Sequence, residues 1–197
     1  MKFAERVDKV KPSFTLEMTS RAAELKHQGH SVVNFSAGQP DFNTPENIIN
    51  AAKDAMDAGL TKYTPGSGMI ELRSAVCEKV KRENELVISP DQVLVSNGEK
   101  QSLYLACQSL FQKGDEVIIF KPYWVSFPEF VTLSDATPVL IDTSSENNFE
   151  REISQIEEAK NKNTKGIIIN SPSNPTGAVW SQEKIIEILK IAEKNDW

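Results

Sequence analysis

Three short polar stretches, each directly after an apolar run, carry the groups best suited to bind a ligand. SNGEKQSL (96–103) follows one apolar run, KPYWVSFPEF (121–130) follows a second, and NSPSNPTGAVW (170–180) follows a third. In an open parallel α/β sheet, ligands bind beyond the carboxyl ends of the strands. If the apolar runs are strands of such a sheet, these three stretches are the candidate binding loops.

The first stretch could bind an anion. Gly98 precedes a helix-like run, and a glycine there lets backbone N–H groups at a helix N-terminus approach an anion, which the helix dipole also favours. The chain has neither a GxGxxG fingerprint nor a GK[ST] motif around it. Taken alone, the stretch is more simply interpreted as a tight strand-to-helix turn.

The second and third stretches could hold a flat, polar ligand. Tyr123, Trp124 and Phe127 could stack on a planar group or, equally well, fill the core between sheet and helix. Asn174 has an amide that can donate to a ligand oxygen, and Pro175 is a candidate for a cis peptide bond in a tight turn. Prolines and a glycine around Asn174 would hold it still at little entropic cost on binding, although a plain proline-rich turn explains the same residues.

The segments around these stretches alternate between strand and helix patterns. Strands are predicted at 92–96, 116–120, 138–141 and 165–170, with helices at 99–112, 123–134, 151–160 and 181–194. Continuous apolar strands that alternate with helices predict a largely parallel α/β sheet covered on both faces.

The first 90 residues are predicted to contain three helices and one short strand. The first helix covers 15–28 and ends before Gly29, and a short strand follows at the start of SVVNFSAG. Thr44 is the predicted N-cap and Pro45 the first residue of the second helix, which extends to about Ala58. TKYTPGSGMIELRSAV is a loop that leads into the third helix, whose apolar residues Leu72, Val76 and Val80 recur at every fourth position.

Length, charge and cysteine content exclude several classes of function. The chain of 197 residues is long enough for one domain, or one and a fraction. It has 22 Lys and Arg against 28 Asp and Glu, without a basic stripe, so we expect no nucleic-acid partner. No apolar run approaches a membrane span and the start is charged, so a soluble cytoplasmic protein is expected. Cys77 and Cys107 are too few for a zinc site and are predicted to be buried, reduced packing residues.

Taken together, five stretches resemble one enzyme family. FSAGQPDF, KYTPGSGMIELR, SNGEKQSL, KPYWVSFPEF and NSPSNPTGAV occur in the order and rough spacing of class I pyridoxal-phosphate (PLP) aminotransferases, most similar to the bacterial aspartate and aspartate/prephenate branch. The resemblance implies a three-layer α/β sandwich with a mostly parallel sheet (fold type I), in a homodimer with active sites at the interface. It implies that residues 1–45 form an N-terminal arm and part of a small domain, and that 46–197 form an incomplete PLP-binding large domain.

The resemblance also assigns residues to the cofactor phosphate. Gly98, Glu99 and Lys100 would form the turn whose backbone N–H groups bind it. Glu99 departs from the family pattern, because a small residue is usual there and a carboxylate repels a phosphate unless its side chain points outward. Tyr63 resembles the tyrosine that reaches across the dimer to the phosphate of the other subunit.

Three residues are assigned by resemblance to the ring and the substrate. Trp124 would lie on the pyridine ring, Asn174 would donate to its phenolic oxygen, and both would border the substrate. Gly38 matches the glycine whose backbone contacts the amino-acid substrate. The alternatives are a packed loop tyrosine for Tyr63 and a plain turn for Gly38.

The catalytic residues of the family have no match in these 197 residues. Absent are the Schiff-base lysine of a Ser-x-Ser-Lys-like motif, the aspartate of an SDEIY-like strand and the arginine that binds the substrate carboxylate. No catalytic residue and no metal ligand is therefore predicted in this chain. We expect it to be inactive alone and poorly stable as an isolated unit, with unpaired sheet edges and uncovered apolar faces.

The predicted function is that of the N-terminal part of a PLP-dependent aminotransferase acting on an amino acid, aspartate in the leading interpretation, and a 2-oxo acid such as 2-oxoglutarate. One alternative is another fold type I enzyme: an aromatic or alanine aminotransferase or a carbon–sulfur lyase. A second is a non-catalytic truncated copy. A generic dinucleotide-binding domain fits the alternation of elements but not the glycine pattern, because Gly98 stands alone.

Overall fold

The computed structural model describes residues 2–36, 38, 40–149 and 152–197. Its helices are α1 (Glu5–Asp8), α2 (Phe14–His27), α3 (Glu46–Asp57), α4 (Ile70–Asn84), α5 (Glu99–Leu110), α6 (Ser126–Leu133), α7 (Ile153–Ala159) and α8 (Gln182–Asn195). Its strands are β1 (Glu116–Phe120), β2 (Thr137–Ile141) and β3 (Thr164–Ile168), and short 3-10 turns cover Pro90–Gln92 and Ser145–Asn147.

The chain forms two compact units, residues 1–32 with 103–197, and residues 33–102. The first contains the sheet, and we call it the sheet unit. The second is called the 33–102 unit. The boundary at residue 45 predicted from the resemblance concerns the complete protein and stays a prediction.

The sheet is parallel, with strand order β2-β1-β3. The central strand β1 pairs Ile118 with Val139 of β2 on one side and with Ile167 of β3 on the other. Four of its five residues, 117–120, are buried, as expected for a strand covered on both faces.

Alternate residues of β1 contribute to two different cores. Ile118 and Phe120 pack on one face with Ile156 of α7 and Ile188 of α8. Val117 and Ile119 pack on the opposite face with α6, through Phe127 and Val131. Helices therefore cover both faces of the sheet, which confirms the predicted three-layer α/β architecture.

The 33–102 unit is held by a few specific contacts around the loop before α4. Val95 N–H donates to the carbonyl of Ser67 (3.0 Å), and the guanidinium of Arg73 donates to the carbonyls of Gly68 (3.2 Å) and Pro90 (2.9 Å). No described residue of this unit is buried. Large apolar side chains such as Ile48 of α3 are accordingly exposed.

Several local predictions are wrong. The described residues at 31–36 and 92–96 form no strand, because an apolar run becomes a strand only where a neighbour pairs its backbone groups. Pro45, with an extended ψ of 140°, is the N-cap of α3, so Thr44 is not. Cys77 is only partly buried, whereas Cys107 is buried as predicted.

No helix in the described part of the chain is long and apolar enough to cross a membrane. No group of three or more His, Cys, Asp or Glu side chains among those residues could hold a metal ion.

Candidate functional site

The topology of the sheet unit creates a crevice at the carboxyl ends of β1 and β3. From β1 the chain crosses to β2 through α6 on one face, whereas from β3 it continues into α8 on the other. The loops after these neighbouring strands therefore diverge, and such a switch point is where α/β sheets bind ligands. The stretches 121–130 and 170–180, predicted as binding loops, are the two loops in question.

A small crevice is present at this point. It is lined by Pro122 and Tyr123 from the loop after β1, and by Asn170, Ser173 and Asn174 from the loop after β3. Its volume is about 10 Å³, room for about one water molecule. The crevice itself is therefore too small to hold a flat ligand.

Backbone and side-chain hydrogen bonds fix the loop after β3. Asn174 N–H donates to Oδ1 of Asn170 (2.7 Å), and Ser173 N–H donates to the carbonyl of Ala178 (2.9 Å). Gly177, at φ +72°, donates its N–H back to the carbonyl of Ser173 (2.7 Å). Asn174 is itself exposed, so an ordered loop presents its amide to solvent beside the crevice.

Proline peptide bonds at this end of the sheet are unusual in conformation. The bonds before Pro122, Pro172 and Pro175 are cis. The cis bond predicted before Pro175 is therefore confirmed.

Trp124 packs against the core, one of the two roles that the sequence left open, and is still partly exposed. Its ring makes edge contacts with Phe127 (centroids 5.4 Å apart, 90°) and Phe130 (5.9 Å, 70°) and packs against the core on the α6 face. It is nevertheless only half-buried. Part of the indole surface is therefore accessible near the crevice, next to Tyr123, which lines it.

The helix N-terminus predicted at residue 99 is formed, in the 33–102 unit. Gly98 has φ +79°, and its carbonyl accepts from the N–H groups of Gln101 (3.2 Å) and Ser102 (3.3 Å). Asn97 N–H is capped by Oε1 of Gln101 (2.5 Å). α5 then begins at Glu99, and a Cβ on Gly98 would meet no atom within 4 Å.

Glu99 and Lys100, the first two residues of α5, are exposed. A carboxylate in a first helical turn is favoured by the helix dipole, which explains why Glu99 is tolerated there. Its exposed side chain is free to point away from an anion bound by the backbone.

The remaining two candidate residues also belong to the 33–102 unit. The side chain of Tyr63 is completely exposed, at 107% of its reference area. It therefore does not pack against the described residues, contrary to the interpretation as a packed loop tyrosine. A Cβ on Gly38 would meet nothing within 4 Å. Its neighbours Ala37 and Gln39 lie outside the described residues.

The candidate residues therefore fall into two groups, one in each unit. The sheet unit brings the loop of Trp124 and the loop of Asn174 to one crevice. The 33–102 unit contains Gly38, Tyr63 and the start of α5. Sequence reasoning missed Asn170, because an asparagine four residues before Asn174 permits a side-chain tie within the loop but does not specify one.

The donors suit the cofactor implied by the resemblance. Backbone N–H groups at a helix start match a phosphate, an aromatic ring matches a pyridine, and a side-chain amide matches a phenolic oxygen. These groups lie in different units, the start of α5 in the 33–102 unit and Trp124 and Asn174 in the sheet unit. The N–H of Gly98 already donates to the carbonyl of Ser96 (2.8 Å), so the phosphate would be left with N–H groups of the helix itself.

Comparison with known proteins gives a consistent result. The family model "Aminotransferase class I and II" matches residues 30–197. An aspartate aminotransferase from Bacillus sp. (strain YM-2) is 48% identical over 193 residues, covering 98% of this chain and 49% of that protein. An aspartate/prephenate aminotransferase from Cereibacter sphaeroides (strain ATCC 17029 / ATH 2.4.9) is 46% identical over 188 residues, covering 95% of this chain and 47% of that protein.

Solved structures agree with the sequence relatives. The aspartate aminotransferase from Thermus thermophilus with maleate superimposes with a TM-score of 0.96 at 40% identity, covering 100% of this chain and 52% of that one. The chain thus spans about half the length of the relatives it matches.

Proposed function

We propose that the full-length protein is a PLP-dependent aminotransferase, because this chain belongs to the class I and II aminotransferase family. This chain supplies one part of the cofactor site of that enzyme. The reaction is the transfer of an amino group between aspartate and a 2-oxo acid such as 2-oxoglutarate. The observation that carries the proposal is the exposed Asn174, held by an ordered loop at the switch point of a parallel sheet.

Each candidate residue has a distinct part in binding. The amide of Asn174 donates to the phenolic oxygen of the cofactor, and the indole of Trp124 packs on its ring. The N–H groups of Glu99 and Lys100 bind its phosphate, with Glu99 contributing only its backbone. Gly98, whose N–H donates to the carbonyl of Ser96, forms the turn before them. When bound, PLP supplies an electron sink for negative charge at the substrate α-carbon.

The homodimer belongs to this proposal. Its support is the fully exposed Tyr63 and the large apolar side chains, such as Ile48 and Met56, that the 33–102 unit leaves in solvent. Tyr63 would bind the phosphate of the second subunit, and Gly38 the amino-acid substrate. The cytoplasmic location stays a prediction from the charged sequence.

Substrate addition to the full-length protein, purified with PLP, tests the function. We expect the visible absorption of the bound cofactor to shift when aspartate is added and to return with 2-oxoglutarate. A shift with alanine or an aromatic amino acid, and none with aspartate, would contradict the substrate assignment.

The truncated-copy alternative is tested by the gene. A reading frame that continues past Trp197 into an SDEIY-like strand and a Ser-x-Ser-Lys-like motif supports the enzyme. An immediate stop codon supports a non-catalytic copy.

The role of Asn174 is tested by Asn174→Ala in the full-length protein. A hydrogen bond to a charged group contributes about 1.5–3 kcal/mol, so we expect PLP affinity, measured by equilibrium dialysis, to fall about tenfold or more. Asn163→Ala is the matched control, because Asn163 is also exposed but directly precedes β3, at the opposite end of that strand. Equal affinities of the two variants would remove Asn174 from the site.

A further inference from the structure

Asn170 is the side chain that fixes the backbone of Asn174. Its Oδ1 accepts the N–H of Asn174 at 2.7 Å, a short distance for an N–H···O bond. Asn170 is half-buried and follows β3 by two residues, next to Ile169, which packs against the core on the α7 and α8 face. The hydrogen bond therefore ties the exposed Asn174 to the rigid end of a strand.

The hydrogen bond between Asn170 and Asn174 requires an acceptor atom on the side chain of residue 170. A backbone N–H can only donate, so the atom of Asn170 that faces it must be the carbonyl oxygen. An aspartate at position 170 would keep that acceptor and lose the two amide donors. An alanine would lose both.

The other bonds of the loop hold different atoms. Ser171 Oγ accepts from Trp180 N–H (2.9 Å), and the N–H groups of Ser173 and Gly177 bond within the turn. These contacts fix the shape of the turn and its exit. Among the hydrogen bonds of the described residues, only the bond to Oδ1 of Asn170 restrains the peptide N–H of Asn174.

We infer that Asn170 is a positioning residue for the cofactor site: it acts through Asn174 by orienting the backbone from which the Asn174 amide projects. The part of the inference that concerns the cofactor rests on the proposed function. The part that concerns the loop is independent of it.

Hydrogen exchange of the full-length protein without PLP tests the loop. Residues 170–180 have few amide hydrogens, because Pro172 and Pro175 carry none, so mass spectrometry of peptides from this segment resolves the loss of one bond. We expect Asn170→Ala to speed exchange at Asn174 roughly fivefold, the ratio typical of one lost hydrogen bond, and Asn170→Asp to leave it unchanged. Ser171→Ala is the control, with faster exchange at Trp180 and unchanged exchange at Asn174.

PLP affinity of the same variants tests the action through Asn174. We expect Asn170→Ala to weaken PLP binding, Asn170→Asp to restore most of it, and the double variant with Asn174→Ala to bind no more weakly than Asn174→Ala alone. Unchanged exchange at Asn174 in Asn170→Ala, or additive losses in the double variant, would overturn the inference. If exchange responds as expected but the wild-type protein binds no PLP, the proposed function fails and the positioning of Asn174 stands.

Discussion

Gly68 is the position in the 33–102 unit where a single methyl group should cause the largest damage. Its φ of +97° is a conformation that residues with a side chain rarely adopt. A Cβ built on it would lie 2.6 Å from Cγ2 and 2.7 Å from Cβ of Val95. Gly68→Ala therefore adds backbone strain and a steric overlap at the same site.

The two costs can be estimated separately. An L-residue in a left-handed conformation costs about 1–2 kcal/mol, and overpacking costs about 1–3 kcal/mol. We expect Gly68→Ala to lower the free energy of unfolding by about 2–5 kcal/mol. Gly59→Ala is the matched control, since Gly59 has φ +74° but no atom within 4 Å of its Cβ position. This variant should lower the free energy of unfolding only by the cost of backbone strain.

Chemical denaturation of the full-length variants measures both costs. Val95→Ala, combined with Gly68→Ala, removes the contacts of the two methyl groups but leaves the Val95 Cβ at 2.7 Å, so we expect the overlap to be relieved only in part. Equal stabilities of Gly68→Ala and Gly59→Ala would refute this account of the packing. Because Gly68 follows Tyr63 by five residues and Val95 precedes Gly98 by three, PLP affinity should fall together with stability.

Three further predictions concern Trp124 and the cysteines. Trp124→Ala should weaken PLP binding by about 1 kcal/mol if the ring stacks on the cofactor, measured by equilibrium dialysis; unchanged affinity would leave Trp124 a core residue that contacts Phe127 and Phe130. Cys77 should react with a thiol reagent in the folded protein and Cys107, 5% exposed, should not; equal rates would contradict the packing of α5. Burial raises the pKa of the Cys107 thiol, so its contribution to stability is complete below the unfolded pKa of about 8.5 and is lost as pH rises through the folded value, which unfolding at increasing pH would detect.

The strands of the sheet were predictable because their apolar patterns depend on local sequence. The bounds of β1, β2 and β3 differ by at most two residues from those of the predicted strands. A short apolar run between turn residues is typical of a buried strand. The runs at 31–36 and 92–96 have similar composition and form no strand. Strand formation there depends on a pairing partner, which the composition of a segment does not specify.

The binding loops were predictable in location but not in internal detail. Beyond the ends of β1 and β3, the apolar pattern and the rule for parallel sheets sufficed. The bond from Asn174 to Asn170 depends on the path of the turn between them, and a spacing of four residues alone does not distinguish such a tie from unrelated asparagines. The partial exposure of Cys77 was missed for a similar reason, because the sequence of α4 does not say which face is covered.

The order of the strands explains why Asn174 and the aromatic loop border one crevice. With β1 central, its following loop turns toward α6 on one face, while the loop of the adjacent β3 turns toward α8 on the other. If β3 paired with the far edge of β2 instead of with β1, the loops after β1 and β3 would not border the same crevice. Asn174 would then lie about 4.8 Å, one strand spacing, farther from Tyr123. The crevice between Tyr123 and Asn174 is therefore a consequence of topology, and it lies where the rule for parallel sheets predicts a ligand site.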